Sequence, residues 1–276
     1  MAKLTFVGGI HPYDGKDLSK DKPIQDVLPK GEMVYPMSQH IGAPAKPIVA
    51  KGDRVLAGQK IAESGGFVSA PIYASVSGTV KSIETRRVVT GDLIQSIVID
   101  NDGLYESMEF HPYAPVDKLQ KDEIIDIVKE AGVVGMGGAG LPTKVKLSPK
   151  EPDKIDYIIA NCAECEPLLR LHRQLLEKYA REFVDTFHLV GQAVGAKEVI
   201  IGIKKAYKQT IEAVESVIGE YPEVRLGLLD EVYPAGDEVV LIYEVTGKVV
   251  RPGGLPIESG VAVFNVETIY NVWRAM

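Results

Sequence analysis

The chain has 276 residues, with 31 Lys and Arg against 38 Asp and Glu and a formal charge of −7 at pH 7. That balance, without a Lys/Arg cluster, excludes a basic nucleic-acid-binding face, and two cysteines exclude a disulfide framework. No apolar run approaches the ~18 residues of a membrane span. The N-terminus, Met1-Ala2-Lys3-Leu4-Thr5-Phe6, lacks the apolar stretch of a signal peptide. A soluble chain in a reducing, cytoplasmic setting is expected, with any membrane association supplied by a partner protein. The length predicts two domains.

Residues 1–34 read as an irregular arm, punctuated by Gly8-Gly9, His11-Pro12, Asp14-Gly15 and Lys22-Pro23. His11 and His40 lack a second ligand at metal-like spacing and are read as polar surface or interface residues. Residues 35–112 show short strands between turns. One half-motif runs from Pro47 to Ile61, with turns at Gly52-Asp53 and Gly58-Gln59 and inward apolar positions Val49, Val55 and Ile61. A second runs from Ser69 to Ile83. This pair resembles the lipoyl/biotinyl-type barrel-sandwich hybrid, an all-β domain of two similar halves. A lipoyl carrier presents a lysine on the hairpin between the halves. Here that hairpin, Glu63-Ser64-Gly65-Gly66-Phe67, has none, so a docking or spacer role is expected. A strand over 93–99 precedes the turn Asn101-Asp102-Gly103, and His111-Pro112-Tyr113-Ala114-Pro115 reads as a linker.

Residues 113–276 alternate helix and strand patterns. Asp122 is a candidate cap for a helix over 123–131, with Gly132 as its stop. The run from Gly132 to Gly140 then holds five glycines in nine residues, followed by Leu141-Pro142-Thr143 and the lysines 144 and 146. Glycine lacks a Cβ and tolerates positive φ, so such a run can bring main-chain amides against an anion. The alternative is a surface loop that binds nothing. Strands are expected at 155–160, 199–203, 224–229 and 261–264, with one long helix over 175–194, another over 207–218, and a third opened by Tyr233–Glu238 and running through 244. This pattern predicts a parallel sheet in a Rossmann-like domain, with ligands beyond the carboxyl ends of its strands. Polar clusters at 161–166, 233–238 and 265–268 each follow a strand. Cys162 and Cys165 cannot complete a four-ligand metal site and are read as structural. His172 and His188 are read as packing or surface residues.

Four motifs in order, Gly135-Met136-Gly137-Gly138-Ala139-Gly140-Leu141-Pro142-Thr143, Asn161 with Glu164 and Glu166, Gly236-Asp237-Glu238, and Asn265-Val266-Glu267-Thr268, resemble the FMN site of the NADH-oxidising flavoprotein subunit of respiratory complex I. With the barrel-sandwich domain in front, the chain more narrowly resembles the RnfC component of the Rnf electron-transport complex. The resemblance implies FMN held by Gly135, Gly137, Gly138, Ala139 and Gly140, with Lys146 near the phosphate or flavin. It places Asn161 and Glu164 on the ribityl chain or ring edge, Gly236, Asp237 and Glu238 along the flavin, and Asn265 and Thr268 at the phosphate end. Leu141, Glu166 and Glu238 would contact NADH. Hydride would pass between NAD(H) and FMN with no catalytic side chain and no metal in this chain.

Two positions depart from the complex I pattern: Met136 replaces the usual arginine and Leu141 the usual phenylalanine. The family continues into β-grasp and ferredoxin-like domains, so two 4Fe-4S clusters are expected only beyond Met276, and Trp273 is expected to pack against that continuation. The implied setting is the cytoplasmic face of a bacterial membrane, where a peripheral protein of this kind admits electrons to an ion-translocating NADH/ferredoxin oxidoreductase. Its partners would be the other Rnf subunits, those in the membrane included, and a ferredoxin-type protein, with no nucleic acid. The competing expectation is a non-catalytic docking protein with a decayed nucleotide site, as in a quinone-reductase family that carries a similar front domain. The intact Gly137–Gly140 run and Asn161 with Glu164 weigh against decay.

Overall fold

A computed structural model describes residues 9–113, 116–138 and 140–276. The first eight residues of the arm, part of the linker (Ala114 and Pro115) and the cofactor candidate Ala139 lie outside the described residues. The described chain forms two compact units: one within 25–115, 126–145 and 276, the other within 1–24, 116–125 and 146–275.

The first unit is built on seven strands: β1 (Glu32–Pro36), β2 (Lys46–Pro47), β3 (Arg54–Val55), β4 (Lys60–Glu63), β5 (Ile72–Tyr73), β6 (Gly78–Arg87) and β7 (Leu93–Asn101). They form an antiparallel sheet in the order β1-β7-β6-β3 and a second sheet in the order β2-β4-β5. The half-motif positions Val55 and Ile61 are fully buried, and Val49 packs against the same core with Val76, Ile97 and Ile99. Short strands with inward β-branched residues close such a core because each side chain stands on one face of the pleat. The expected barrel-sandwich hybrid domain is present.

Helix α1 (Lys121–Glu130) starts earlier than expected, because the Glu123 carboxylate takes the Gln120 amide (2.8 Å) and closes the first turn. Residues 126–145, with the glycine run and the start of α2 (Thr143–Leu147), group with the β-rich unit.

The second unit holds a four-stranded sheet of β8 (Tyr157–Cys162), β9 (Glu198–Lys204), β10 (Val224–Leu229) and β11 (Val261–Asn265) in the order β10-β9-β8-β11, parallel throughout. β9 and β11 are buried along nearly their whole length, the signature of strands covered on both faces. Ile159, Ile200 and Val263 pack with α6 (Glu238–Thr246) through Leu241 and Ile242. On α4, Gly191 lies against Ile158 and Val199, and Phe187 meets Phe264 edge-on at 6.2 Å.

The helix expected as one piece over 175–194 is two, α3 (Leu171–Lys178) and α4 (Ala180–Val194). They break at Tyr179, whose φ of −129° and ψ of 38° are not helical. Its ring packs on Tyr270 (5.6 Å) and Trp273 (5.2 Å) of α7 (Val266–Ala275), a helix the sequence pattern did not announce. Trp273 thus has aromatic partners inside this unit and remains half-buried. Helix α5 (Lys208–Ile218) completes the unit.

The amino ends of the sheet are held by Asp156. Its carboxylate pairs with Lys197 (2.7 Å) and Lys248, its amide donates to the Gly260 carbonyl, and its carbonyl accepts from Lys197 and Glu198. These pairs lower its pKa from 3.8 to about 2. A depressed folded pKa contributes stability that is present above the unfolded value and lost as pH falls through the folded one. Because the group is partly exposed, solvent screening leaves the contribution at about 1 kcal/mol. Asp156→Asn is therefore expected to lower the urea midpoint at pH 7, with the gap to wild type closing between 3.8 and about 2. A gap that stays constant with pH would refute the ion-pair account.

Candidate functional site

In the parallel sheet the chain runs from β8 through β9 to β10 on one side, then returns to place β11 on the other side of β8. The order reverses between β8 and β11, and in open α/β sheets ligands bind outside the carboxyl ends at such a reversal. Asn161 and Asn265 are register partners there.

Asn161 spans two segments. Its Nδ2 donates to the Gly236 carbonyl (2.8 Å), and its Oδ1 accepts from the Ala163 amide (3.1 Å). The Gly236 amide in turn donates to Cys165 Sγ (3.1 Å). The 161–166 and 233–238 segments are therefore tied together at Gly236, and a Cβ there would stand 3.0 Å from Cys165 Sγ. Asp237 caps α6, its Oδ1 accepting from the Val239 and Val240 amides (3.0 and 3.1 Å), which stabilises two otherwise unpaired helix donors. Glu238 follows, exposed, in the first turn. Asn265 accepts from the Glu267 amide (2.8 Å) at the start of α7, and Thr268 is buried one residue further on.

Glu164 is buried with a side-chain exposure of 1%. Its carboxylate accepts from the His172 amide (2.7 Å) and Arg173 Nε (2.7 Å). Arg173 stacks on Tyr207 at 4.0 Å, and the Tyr207 hydroxyl donates to the Ala163 carbonyl (3.3 Å). Burial raises the Tyr207 pKa. Glu164 thus meets a protein cation and a helix start with its carboxylate, and its own backbone takes a positive φ of 44°. Glu166 is exposed. Lys146 Nζ donates to the Val263 carbonyl (2.5 Å) and lies 5.4 Å from the Phe264 ring. Burial lowers its pKa, and the Glu238 charge partly opposes that shift. Cys162 is fully buried, which pushes its thiol pKa up and keeps it out of thiolate chemistry.

The glycine run belongs to the β-rich unit. Its ends are pinned by the Gly135 amide on the Leu141 carbonyl (2.8 Å) and the Thr143 amide on the Val133 carbonyl (2.9 Å). Gly137 and Gly140 take positive φ, 72° and 67°. Gly137 and Gly138 are exposed, and Gly135 and Leu141 are half-buried. A Cβ built on Gly138 meets nothing within 4 Å, so its main chain is open to a ligand. This side-chain-poor, exposed backbone fits a phosphoryl group, which main-chain amides bind well.

Sequence reasoning missed Arg173 as the partner of Glu164, Cys165 as an acceptor for Gly236, and Lys16, whose Nζ bonds the Glu166 and Leu169 carbonyls (2.8 and 2.5 Å). The Cys165 and Lys16 contacts span 71 and 150 residues, and the Glu164–Arg173 pair, nine residues apart, bridges a turn and a helix start with no local pattern to announce it.

The parallel sheet with its reversal in one unit and the paired antiparallel sheets in the other define the class: a Rossmann-like α/β domain preceded by a barrel-sandwich hybrid. Family models agree. "RnfC Barrel sandwich hybrid domain" matches residues 4–104, and "Nuo51 FMN-binding domain" matches residues 128–274. Among curated relatives, the C component of the Na(+)-translocating ferredoxin:NAD(+) oxidoreductase complex of Acetobacterium woodii is 39% identical over 273 residues, 99% of this chain and 62% of that protein. Its proton-translocating counterpart in Clostridium ljungdahlii is 40% identical over 266 residues, 96% of this chain and 58% of that one. The C component of an ion-translocating oxidoreductase complex of Vibrio cholerae is 33% identical, the match covering 98% of this chain and 35% of that protein. Among solved structures, an NAD+-reducing [NiFe]-hydrogenase in the H2-reduced state matches with a TM-score of 0.50 and 28% identity, covering 58% of this chain and 31% of its own. The chain belongs to the RnfC family. It spans about three fifths of the first two relatives.

Proposed function

We propose that this chain binds FMN and exchanges hydride between NAD(H) and that flavin, as the point at which electrons enter an ion-translocating oxidoreductase complex. The observation that carries this reading is the exposed Gly137-Gly138 backbone, open at the Gly138 Cβ position, inside a segment that matches an FMN-binding domain. The relatives' names, which pair ferredoxin with NAD(+), support the reaction class.

In this proposal the amides of Gly137, Gly138 and Gly140 hold the phosphate, Gly135 shapes their turn through its bond to the Leu141 carbonyl, and Asn265 and Thr268 are the phosphate-end candidates of the α/β unit. Asn161, Gly236 and Asp237 shape the flavin's surroundings through the bonds that join their segments, and Glu164 does so by fixing the backbone rather than by offering its carboxylate. Lys146 contributes a partly desolvated cation. Leu141, Glu166 and Glu238 meet NADH, the two carboxylates being exposed acceptors for ribose hydroxyls. Bound flavin supplies the hydride chemistry, so the chain's own contribution is positioning and electronic tuning.

Partners in this proposal are the remaining subunits of the complex, those in the membrane included, and a ferredoxin-type protein. The chain sits peripherally on the cytoplasmic face of the membrane. No helix among the described residues is long and apolar enough to cross a membrane. Two 4Fe-4S clusters are proposed for sequence beyond Met276.

The test is reconstitution. FMN mixed with the purified chain is expected to remain after desalting, with a flavin absorbance band that bleaches anaerobically on adding NADH. A chain that keeps no flavin would return the reading of a docking protein. Flavin that stays oxidised in NADH would limit this segment to binding.

A further inference from the structure

The N-terminal arm touches two of the segments proposed to surround the flavin. Ile10 and Tyr233 exchange main-chain bonds in both directions (2.9 and 2.8 Å), just before Gly236. Asp14, Lys16 and Ser19 grip the 166–169 stretch that follows Glu164. The Leu168 amide donates to the Asp14 carbonyl (2.8 Å), Ser19 Oγ donates to the Leu168 carbonyl (2.6 Å), and Lys16 Nζ bonds the Glu166 and Leu169 carbonyls. Lys16 is 8% exposed. All of these residues lie in the α/β unit.

The 164–169 stretch needs such support. Glu164 and Leu168 both adopt positive φ, 44° and 65°, a strained conformation for a non-glycine residue that persists only where surrounding contacts impose it. A buried ammonium bonded to two carbonyls imposes it more strongly than neutral donors would. The remaining link, from Asn161 and Cys165 to Gly236, joins the two gripped segments to each other. Arm, 233–236 and 161–169 therefore form a closed ring of contacts.

We propose that residues 10–19 are a clasp that sets the spacing of the two flavin-flanking segments, with Lys16 as its positioning residue. This rests on the flavin reading above. Burial lowers the Lys16 pKa while the Glu164 charge opposes the shift, so the ammonium is held by its surroundings at some desolvation cost. The clasp makes flavin affinity depend on residues that need not touch the flavin.

The test uses the 276-residue chain, FMN titration and hydrogen exchange. Lys16→Met is expected to weaken FMN binding by roughly 10- to 100-fold, the scale of a lost charged hydrogen bond. Exchange in 164–170 and 231–238 should rise together, while β6 and β7 stay protected. Lys16→Arg, which keeps the cation, should recover most of the affinity, a rescue that loss of packing alone would not show. Ser19→Ala, a milder change should Lys16→Met fail to fold, is expected to weaken FMN by about 2- to 10-fold. Wild-type affinity in both Lys16→Met and Ser19→Ala, or exchange rising in only one segment, would overturn the clasp. If wild type keeps no FMN, the flavin reading fails on its own, and coupled exchange of the two segments still decides whether the clasp exists.

Discussion

Replacing Glu164 with alanine is expected to destabilise the α/β unit by about 3–5 kcal/mol, the cost of breaking a buried ion pair from one side. The carboxylate is almost wholly enclosed and meets Arg173 Nε and the His172 amide, both at 2.7 Å. Its removal strands the Arg173 guanidinium, itself only 13% exposed, against the Tyr207 ring. It also leaves the first amides of α3 without an acceptor. Glu164→Gln keeps an acceptor and the shape while removing the charge, so a smaller loss of about 1–3 kcal/mol is expected. Urea unfolding followed by far-UV circular dichroism measures both. An alanine variant within about 1 kcal/mol of wild type would show that the pair contributes little and that Glu164 is free to serve a ligand directly.

Gly138→Leu is expected to abolish FMN binding, by at least about 100-fold, while leaving the melting temperature almost unchanged. Nothing stands within 4 Å of a Cβ at Gly138, so the fold has room for a side chain there. A phosphate approaching the same main chain would not, because a leucine covers the amides it needs. Gly140→Ala supplies the contrast: φ is +67° and the added Cβ would lie 3.3 Å from the Gln39 carbonyl oxygen. That change should cost about 1–2 kcal/mol of stability before any ligand is considered. Isothermal titration with FMN and a thermal melt on each variant separate the two effects. Equal FMN affinity in Gly138→Leu and wild type would remove the glycine run from the binding site.

Much of the fold was legible in residue order. The apolar runs at 199–203 and 261–264 are strands because residues covered on both faces read as continuous hydrophobic stretches, and the run at 224–229 is the edge strand beside them, with Leu228 exposed. The inward positions Val55 and Ile61 of the front domain followed from turn spacing. The break at Tyr179 did not show, because its neighbours keep helical apolar spacing and contain no proline. It is accompanied by ring contacts with Tyr270 and Trp273, some ninety residues on. The side chains that make the site rigid were equally hidden. The cap that Asp237 places on α6 was hidden too, since a carboxylate just before a run such as Val239-Val240-Leu241 serves a helix start or a ligand equally well.

Residue order by itself determined the sequence of domains, the side-chain-poor run at 132–140 and the polar ends of the parallel strands. Each depends on residue types within a few positions of one another, and periodicity and glycine content report that directly. Only the tertiary structure decided that Arg173 holds Glu164, that Cys165 receives the Gly236 amide, and that Lys16 reaches carbonyls about 150 residues away. Those bonds form between segments that folding brings together, and a buried charge leaves no trace in local pattern until its partner is in place.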